Sequence, residues 1–485
     1  MKRYLKRILA VYFFLQPIAQ CETVTIKPPV FDIRQIMIVA EFDMGYQYYT
    51  GIGVLPQDYA KAFEKFSFVA NQGHAEAQKY LGIMYEKGQG VAQNYAEAVK
   101  WYRKAALQGN AVSQCKLGLL YENGQGVIQN NVQAVQWYEK AALQGYAEAQ
   151  CNLGYMYDMG YGVFRDYAEA VKWYRKAAEQ KFARAQNNLG TMFNHGTGVT
   201  KDYGDAVNWY RKAAEQGFAD AQSNLGFMYE KGQGVSQDYQ EAVKWYRKAA
   251  TQGNITAKCN LGILYEKGRG VSQNYDEAAD LYRQAAEQGN TPAQYNLALM
   301  YDKGLGVVQD YYEAVKWYSK AADQGFANAQ NNLGFMYEKG QGVSQNYQEA
   351  VKWYRKAADQ SNAIAQGRLG YLYNNGMGVS QDFTEALKWY RLAASQGNAI
   401  AQSNLGLLYE KGQGVTQDYV EALKWYRQAA DQGNAIAQYN LGTLYQEGKG
   451  CPQNLSIAKE WFKKACDNGF KKGCDTYSKL TASGQ

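Results

Sequence analysis

The sequence predicts an all-α solenoid assembled from copies of one helical hairpin, and three observations carry that reading. All ten tryptophans (Trp101, Trp137, Trp173, Trp209, Trp245, Trp317, Trp353, Trp389, Trp425 and Trp461) stand on one 36-residue lattice, with Leu281 at its single vacant node. Each period contains two apolar runs at helical spacing. Between them lies a Gly-x-Gly that occurs in all twelve units. A residue as large as Trp returning at a fixed interval means that one supersecondary unit is copied, each copy burying its ring against a neighbour. The function of such a chain belongs to a surface.

Taken in order, residues 1–21 have a basic start, an apolar stretch from Ile8 to Ile18 and a small-residue end at Ala19-Gln20-Cys21. They read as a secretory signal peptide, since a bilayer span needs about 20 apolar residues. An uncleaved anchor and a cytosolic start are the alternatives, and Cys21 is a candidate for lipidation despite Gln20 before it. Residues 22–37 contain Pro28-Pro29 and no period, which marks a linker. A 37-residue unit then runs from Ile38 to His74, its extra residue near Leu55-Pro56, and eleven units of 36 residues follow to Phe470. Residues 38–470 are thus one twelve-repeat domain, and 471–485 a capping stub and tail.

Within the unit Ala75–Asn110, the first helix (helix A) spans Ala75 to Tyr85 and stops at Gly88, where a left-handed cap costs nothing without Cβ. Gly82 recurs at Gly118, Gly154, Gly190 and Gly226, with Ala298 the one substitution, as expected where a second helix approaches closely. The Gly-x-Gly lacks the Lys-Ser/Thr of a phosphate loop and is present in every copy, so it reads as a turn. The second helix (helix B) opens on capping boxes such as Asn94/Glu97, Asp238/Glu241 and Asp418/Glu421. It buries Ala98, Val99, Trp101, Tyr102, Ala105 and Ala106 and ends at Gly109. Lys181 and Ser361 replace that glycine, and altered geometry or extra mobility is expected at those two corners. The end units are worn, as solenoid caps must be: Lys65 stands at the Trp position of the first.

The unit reads A-x-A-Q-x-N-L-G-x-x-Y-x-x-G-x-G-V-x-Q-D-Y-x-E-A-x-K-W-Y, as in Ala219–Gly226 with Gly232–Tyr239, and it resembles the Sel-one-like repeats, relatives of tetratricopeptide repeats. The resemblance covers residues 38–470. It implies an αα-hairpin solenoid wound into a right-handed superhelix that acts as an adaptor, in a family that includes envelope proteins and host-interaction factors. Cys466 and Cys474 also resemble the C-x7-C bridge of the cysteine-rich secreted branch of that family, here at one corner only. The resemblance, together with the antiparallel helices flanking that corner, implies a Cys466–Cys474 disulfide in an exported protein.

Composition and motifs narrow the chemistry. The net charge of +7 falls to about +3 without Lys2, Arg3, Lys6 and Arg7, and acids offset the basic run of each unit. A nucleic-acid partner would need one sign on one face and is not expected. His74 and His195 are the only histidines and share no recurring acid or nucleophile. Cys115 and Cys151 occupy one repeat position without a histidine beside them. Hence no catalytic residue, metal or cofactor is expected. The Ser-x-x-K matches at Ser113 and Ser456 lack the companion motifs of penicillin-recognising enzymes.

Function is therefore expected on the concave side, lined by the A helices, where positions two, five and nine of each unit vary between copies. The candidate partner-binding residues are Tyr155, Phe227, Phe335 and Tyr371 at position nine, Tyr295 and Tyr439 at position five, and Asn188 and Asn224 beside them. Aromatic anchors flanked by amides suit an extended peptide or protein segment. The first reading is a noncatalytic exported scaffold, periplasmic or secreted, acting in the envelope or on a host cell. The alternatives are a binder or hydrolase of a cell-wall saccharide or β-lactam and a cytosolic signalling adaptor.

Overall fold

The computed structural model describes residues 33–482 and consists there of 25 helices with no strand. Helix α1 (Ile33–Thr50) pairs with α2 (Tyr59–Asn71), and α3 (Ala75–Lys87) with α4 (Tyr95–Leu107). The same pair then recurs every 36 residues as far as Leu455–Asp467, and Lys471–Ala482 closes the series. Because α1 begins at Ile33, its first turn lies in the stretch read as linker. The segment read as a signal lies outside the described residues. Among the described residues no helix is long and apolar enough to cross a membrane. The described helices group into two compact units, divided between Lys176 and Ala177.

From Ala75 to Phe470 both helices of a repeat have 13 residues, and α3 and α4 carry the expected ends. Asn94 accepts from the Glu97 amide at the start of α4, and Gly88 closes α3 at φ 69°. The loop between them is tied to the end of α3: Gln93 Nε2 donates to the Glu86 carbonyl at 2.8 Å and Asn94 N to that of Tyr85 at 2.9 Å. Helices are thereby stopped and restarted at fixed positions, which keeps the register from drifting.

The Gly-x-Gly is more than a turn. Its first glycine caps helix A, but its second packs on the preceding repeat: a Cβ on Gly90 would lie 2.2 Å from the Tyr59 carbonyl oxygen, and one on Gly234 2.2 Å from that of Tyr203. Backbone occupies that space, so no side chain can yield.

The ring that fills each hairpin is the tyrosine after the tryptophan. Tyr102, Tyr138, Tyr246, Tyr318, Tyr354 and Tyr426 are fully buried, and a Cβ on Gly82 would fall 2.5 Å from the Tyr102 ring. The tryptophans seal the junctions instead: Trp137 packs with Ala98, Val99 and Tyr102 of the preceding repeat, and Leu281 packs likewise with Ala242, Val243 and Tyr246. Trp173, Trp209, Trp353 and Trp425 are only half-buried, so the expectation that every indole is enclosed holds for six of the ten. A lysine one turn on covers the open face of Trp173, Trp209 and Trp353, as Lys212 does 3.9 Å from the centre of the Trp209 ring.

At the two corners without glycine, the geometry is retained, contrary to expectation. Lys181 and Ser361 adopt φ 62° and 64°, the only described non-glycine residues with positive φ. Ser361 N still donates to the Ala358 carbonyl at 2.9 Å, as Gly397 N does to that of Ala394 at 3.0 Å. The neighbouring turns hold both residues in a left-handed conformation that costs roughly 1 kcal/mol or more.

Candidate functional site

The A helices divide into a face that is consumed by packing and a face that is not. Positions three, seven and eight (Ala77, Leu81 and Gly82 in α3) are buried in every repeat from Ala75 to Phe470. Position four, a buried glutamine in most repeats, bridges two of them: Gln222 Nε2 donates to the Ala214 carbonyl at 3.1 Å, and Gln222 Oε1 accepts from Gln252 at 2.8 Å. The same pair joins Gln78 to Ala70 and Gln108, and Gln402 to Ala394 and Gln432. This link was missed in the sequence, although a glutamine held at one place on an apolar helix face was the signal.

A second link runs through the buried tyrosines. Tyr246 donates to Glu230 at 2.9 Å while Asn260 of the following repeat approaches the same hydroxyl at 3.3 Å, and Tyr318 is placed likewise between Asp302 at 3.3 Å and Asn332 at 3.1 Å. Burial, reinforced by the facing carboxylate, pushes these phenols far above their ordinary pKa. Burial likewise raises the Asp158 and Asp302 carboxyls. In Ala183–Gly217 an asparagine, Asn194, replaces the acid, and Tyr210 pairs with Thr191 at 3.1 Å instead. The asparagine row is thus part of the framework. Asn224 donates to the buried Asn187 at 2.9 Å, and the half-buried Asn188 stands at the equivalent position one repeat earlier.

The candidate residues therefore separate. Position five turns toward the second helix and the closing corner of its own repeat: the half-buried Tyr295 packs on Tyr318 and Phe326 at 5.9 and 5.1 Å, and the half-buried Tyr439 on Phe462 and Phe470 at 5.4 and 5.2 Å. Position nine stays open. Tyr155, Phe227 and Tyr371 are 37, 38 and 43% exposed, while Phe335 is half-buried against its neighbours. Position two, two turns back on the same face, carries Ile364, Ile400 and Ile436 in three consecutive repeats, at 58, 67 and 52% exposure.

Among the described residues no cluster of His, Cys, Asp and Glu could hold a metal ion. Cys259 is buried and its thiol pushed up to about 12, which makes it inert. Ser113 is fully buried in its helix and cannot meet a substrate. His74 caps α3, its Nδ1 accepting from Ala77 N. A depression of about 310 Å³ at Asp205, Trp209 and Lys212 is lined by one helix only. Cys466 and Cys474 form a disulfide with Cα atoms 4.4 Å apart, joining Leu455–Asp467 to the closing helix.

These features define a helical-hairpin repeat scaffold, a fold for protein–protein interaction. The Sel1 repeat pattern matches twelve consecutive intervals, from 38–74 through 435–470, and the chain belongs to the Sel1 repeat family. It is similar to c5321, described as a protective antigen of uropathogenic Escherichia coli with an SLR fold, at 40% identity and a TM-score of 0.76 over 87% of this chain and 90% of that one. It is also similar to a Sel1 repeat protein of Oxalobacter formigenes, at 37% identity and a TM-score of 0.47 over 50% of this chain and 96% of that one. No curated protein matches the chain.

Proposed function

We propose that this protein is a noncatalytic, exported scaffold that captures a segment of another protein on the outer face of its A helices, the concave side of the solenoid, in a bacterial envelope or at a host cell. One observation carries the reading. The residues that repeat without change are engaged in packing and internal hydrogen bonds, whereas exposed aromatic and aliphatic side chains at positions two and nine differ from copy to copy. Scattered apolar residues on a surface need no explanation; a row of them on successive helices is the form that a peptide-binding face takes. The basic-apolar-small pattern of residues 1–21, the Cys466–Cys474 bridge and the likeness to a protective antigen support export.

The test is crosslinking in native envelopes. Replacing Tyr155, Phe227, Phe335 and Tyr371 together by Ser is expected to abolish partner capture with helicity unchanged in circular dichroism. Undiminished capture would sink the reading, and loss of helicity would return these residues to the core.

A further inference from the structure

Where position two carries a carboxylate or an amide and the next A helix starts on asparagine, the two side chains bond across the repeat boundary. Asn110 Nδ2 donates to Glu76 at 2.6 Å, Asn254 Nδ2 to Asp220 at 2.7 Å and Asn362 Nδ2 to Asn328 at 3.0 Å. A side chain at position two thus reaches the cap of the following A helix, two residues before the next position two, so these positions form a continuous row along the helix starts. Near the carboxyl-terminal end of the row the acceptors are replaced by Ile364, Ile400 and Ile436, each more than half exposed. Asn398 and Asn434 still cap their helices, their Oδ1 atoms 2.9 Å from Ala401 N and Ala437 N, but among the described residues nothing accepts from their Nδ2 groups. The row ends on cations: position two of the closing helix is Lys472, preceded by Lys471, both exposed and in no ion pair among the described residues. A helix start favours acids, as Glu76, Glu148 and Asp220 show at the same position, so two lysines there do nothing for the helix. Lys463 and Lys464 stand across the same corner, which the Cys466–Cys474 bridge holds together, and only Asp467 and Asp475 oppose the four cations locally.

The row therefore combines exposed isoleucines, unbonded amide donors between them and a surplus of positive charge at one end. An acyl chain with an anionic head would use the first and the last but not the amides. A polypeptide uses all three, because its main chain carries a carbonyl acceptor beside every side chain. Resting on the docking role proposed above for the A-helix face, we infer that the partner is an extended polypeptide segment, apolar along its length and acidic at one end. Its apolar side chains lie on Ile364, Ile400 and Ile436, its carbonyls accept from Asn398 and Asn434, and its acidic end meets Lys471 and Lys472.

The probes are synthetic peptides of alternating Leu and Ser ending in a block of Glu, the same ending in a block of Lys, and the first composition with its Glu scattered among the Leu. Binding to the full chain is read by fluorescence anisotropy at low and high salt, with dodecanoate as the competing acyl chain. The Glu-ended peptide is expected to bind at least about tenfold more tightly than either of the others, its advantage over the Lys-ended one shrinking as salt rises. Lys471→Glu with Lys472→Glu, a change that suits a helix start, should reverse the preference between the two charged peptides. Ile364→Asn with Ile400→Asn recreates the pairing of Asn328 with Asn362 and should abolish binding at unchanged helicity. Asn398→Ser with Asn434→Ser keeps both caps and should weaken the Glu-ended peptide about tenfold. Equal binding of the charged peptides would overturn the acidic end, and equal binding of the scattered peptide would overturn its placement. Binding untouched by the Ile→Asn pair would overturn the row, and binding untouched by the Asn→Ser pair, or displaced by equimolar dodecanoate, would overturn the polypeptide in favour of an acyl chain. No binding by any peptide, with envelope capture still lost in the fourfold Ser variant, would overturn this partner and leave the docking face standing. Capture unaffected by that variant would instead remove the docking role itself.

Discussion

Leu81 and Ile83 lie two residues apart on α3 and obey different constraints. The position of Leu81 is leucine in every repeat from Leu81 to Leu441 and is buried in each. The position of Ile83 takes five residue types over the same eleven repeats and is nowhere fully buried. Packing with Trp101 and with Phe66 and Val69 of the preceding repeat fixes the first, because interiors are close-packed and even one methylene is felt. The second answers to whatever touches the surface, so copies can diverge there at little cost to stability.

The sharpest way to break that contrast is alkali. The phenols of Tyr102, Tyr246, Tyr282 and Tyr426 are raised above 10 by burial, then by their carboxylate partners. An acid whose folded pKa is raised stabilises the fold below the unfolded value and loses that contribution as pH rises above it. Stability should therefore be flat up to pH 10 and then fall by about 1.4 kcal/mol per buried phenol for each further pH unit. Phenolate absorbance of these rings should appear together with the loss of helical dichroism; titration ahead of unfolding would contradict their burial.

Next in size is the contrast between two glycines. Gly234→Ala meets the Tyr203 backbone at positive φ and should cost about 2–3 kcal/mol, seen as lost hydrogen-exchange protection in the repeats around it. Gly226→Ala meets only the Tyr246 ring, and since Ala298 occupies the equivalent place against Tyr318, less than about 1.5 kcal/mol is expected. Opening the Cys466–Cys474 bridge with reductant should cost about 2.5 kcal/mol by loop entropy, confined to the last hairpin and the closing helix. Smallest is Lys181→Gly, which relieves a left-handed side chain and should stabilise its corner by up to about 1 kcal/mol, measured as slower local exchange.

The repeat boundaries, the caps and the terminal bridge could be read in the sequence because each rests on contacts within one hairpin or on a strict period. The Cys466–Cys474 pair spans eight residues, and the Asn94 cap only three. Position five could not be read this way. Its side chains meet another helix, as Tyr295 meets Tyr318 and Tyr439 meets Phe462, and on a helix taken alone Tyr295 is indistinguishable from a residue facing a groove. The Gln222–Gln252 and Tyr246–Asn260 links escaped for the same reason, their partners lying 30 and 14 residues away on other helices. Gly90 was assigned to a turn because its obstacle, the Tyr59 carbonyl, belongs to the preceding repeat.

The joints formed by Gly234 and Gly270 on the preceding Tyr203 and Tyr239 are the same close approach made twice, one period apart. Excising one whole period from this stretch would bring each surviving loop onto an equivalent foothold and leave no socket empty. A chain built this way can lengthen or shorten by whole cassettes, and so change the number of its A helices, without redesigning a single joint.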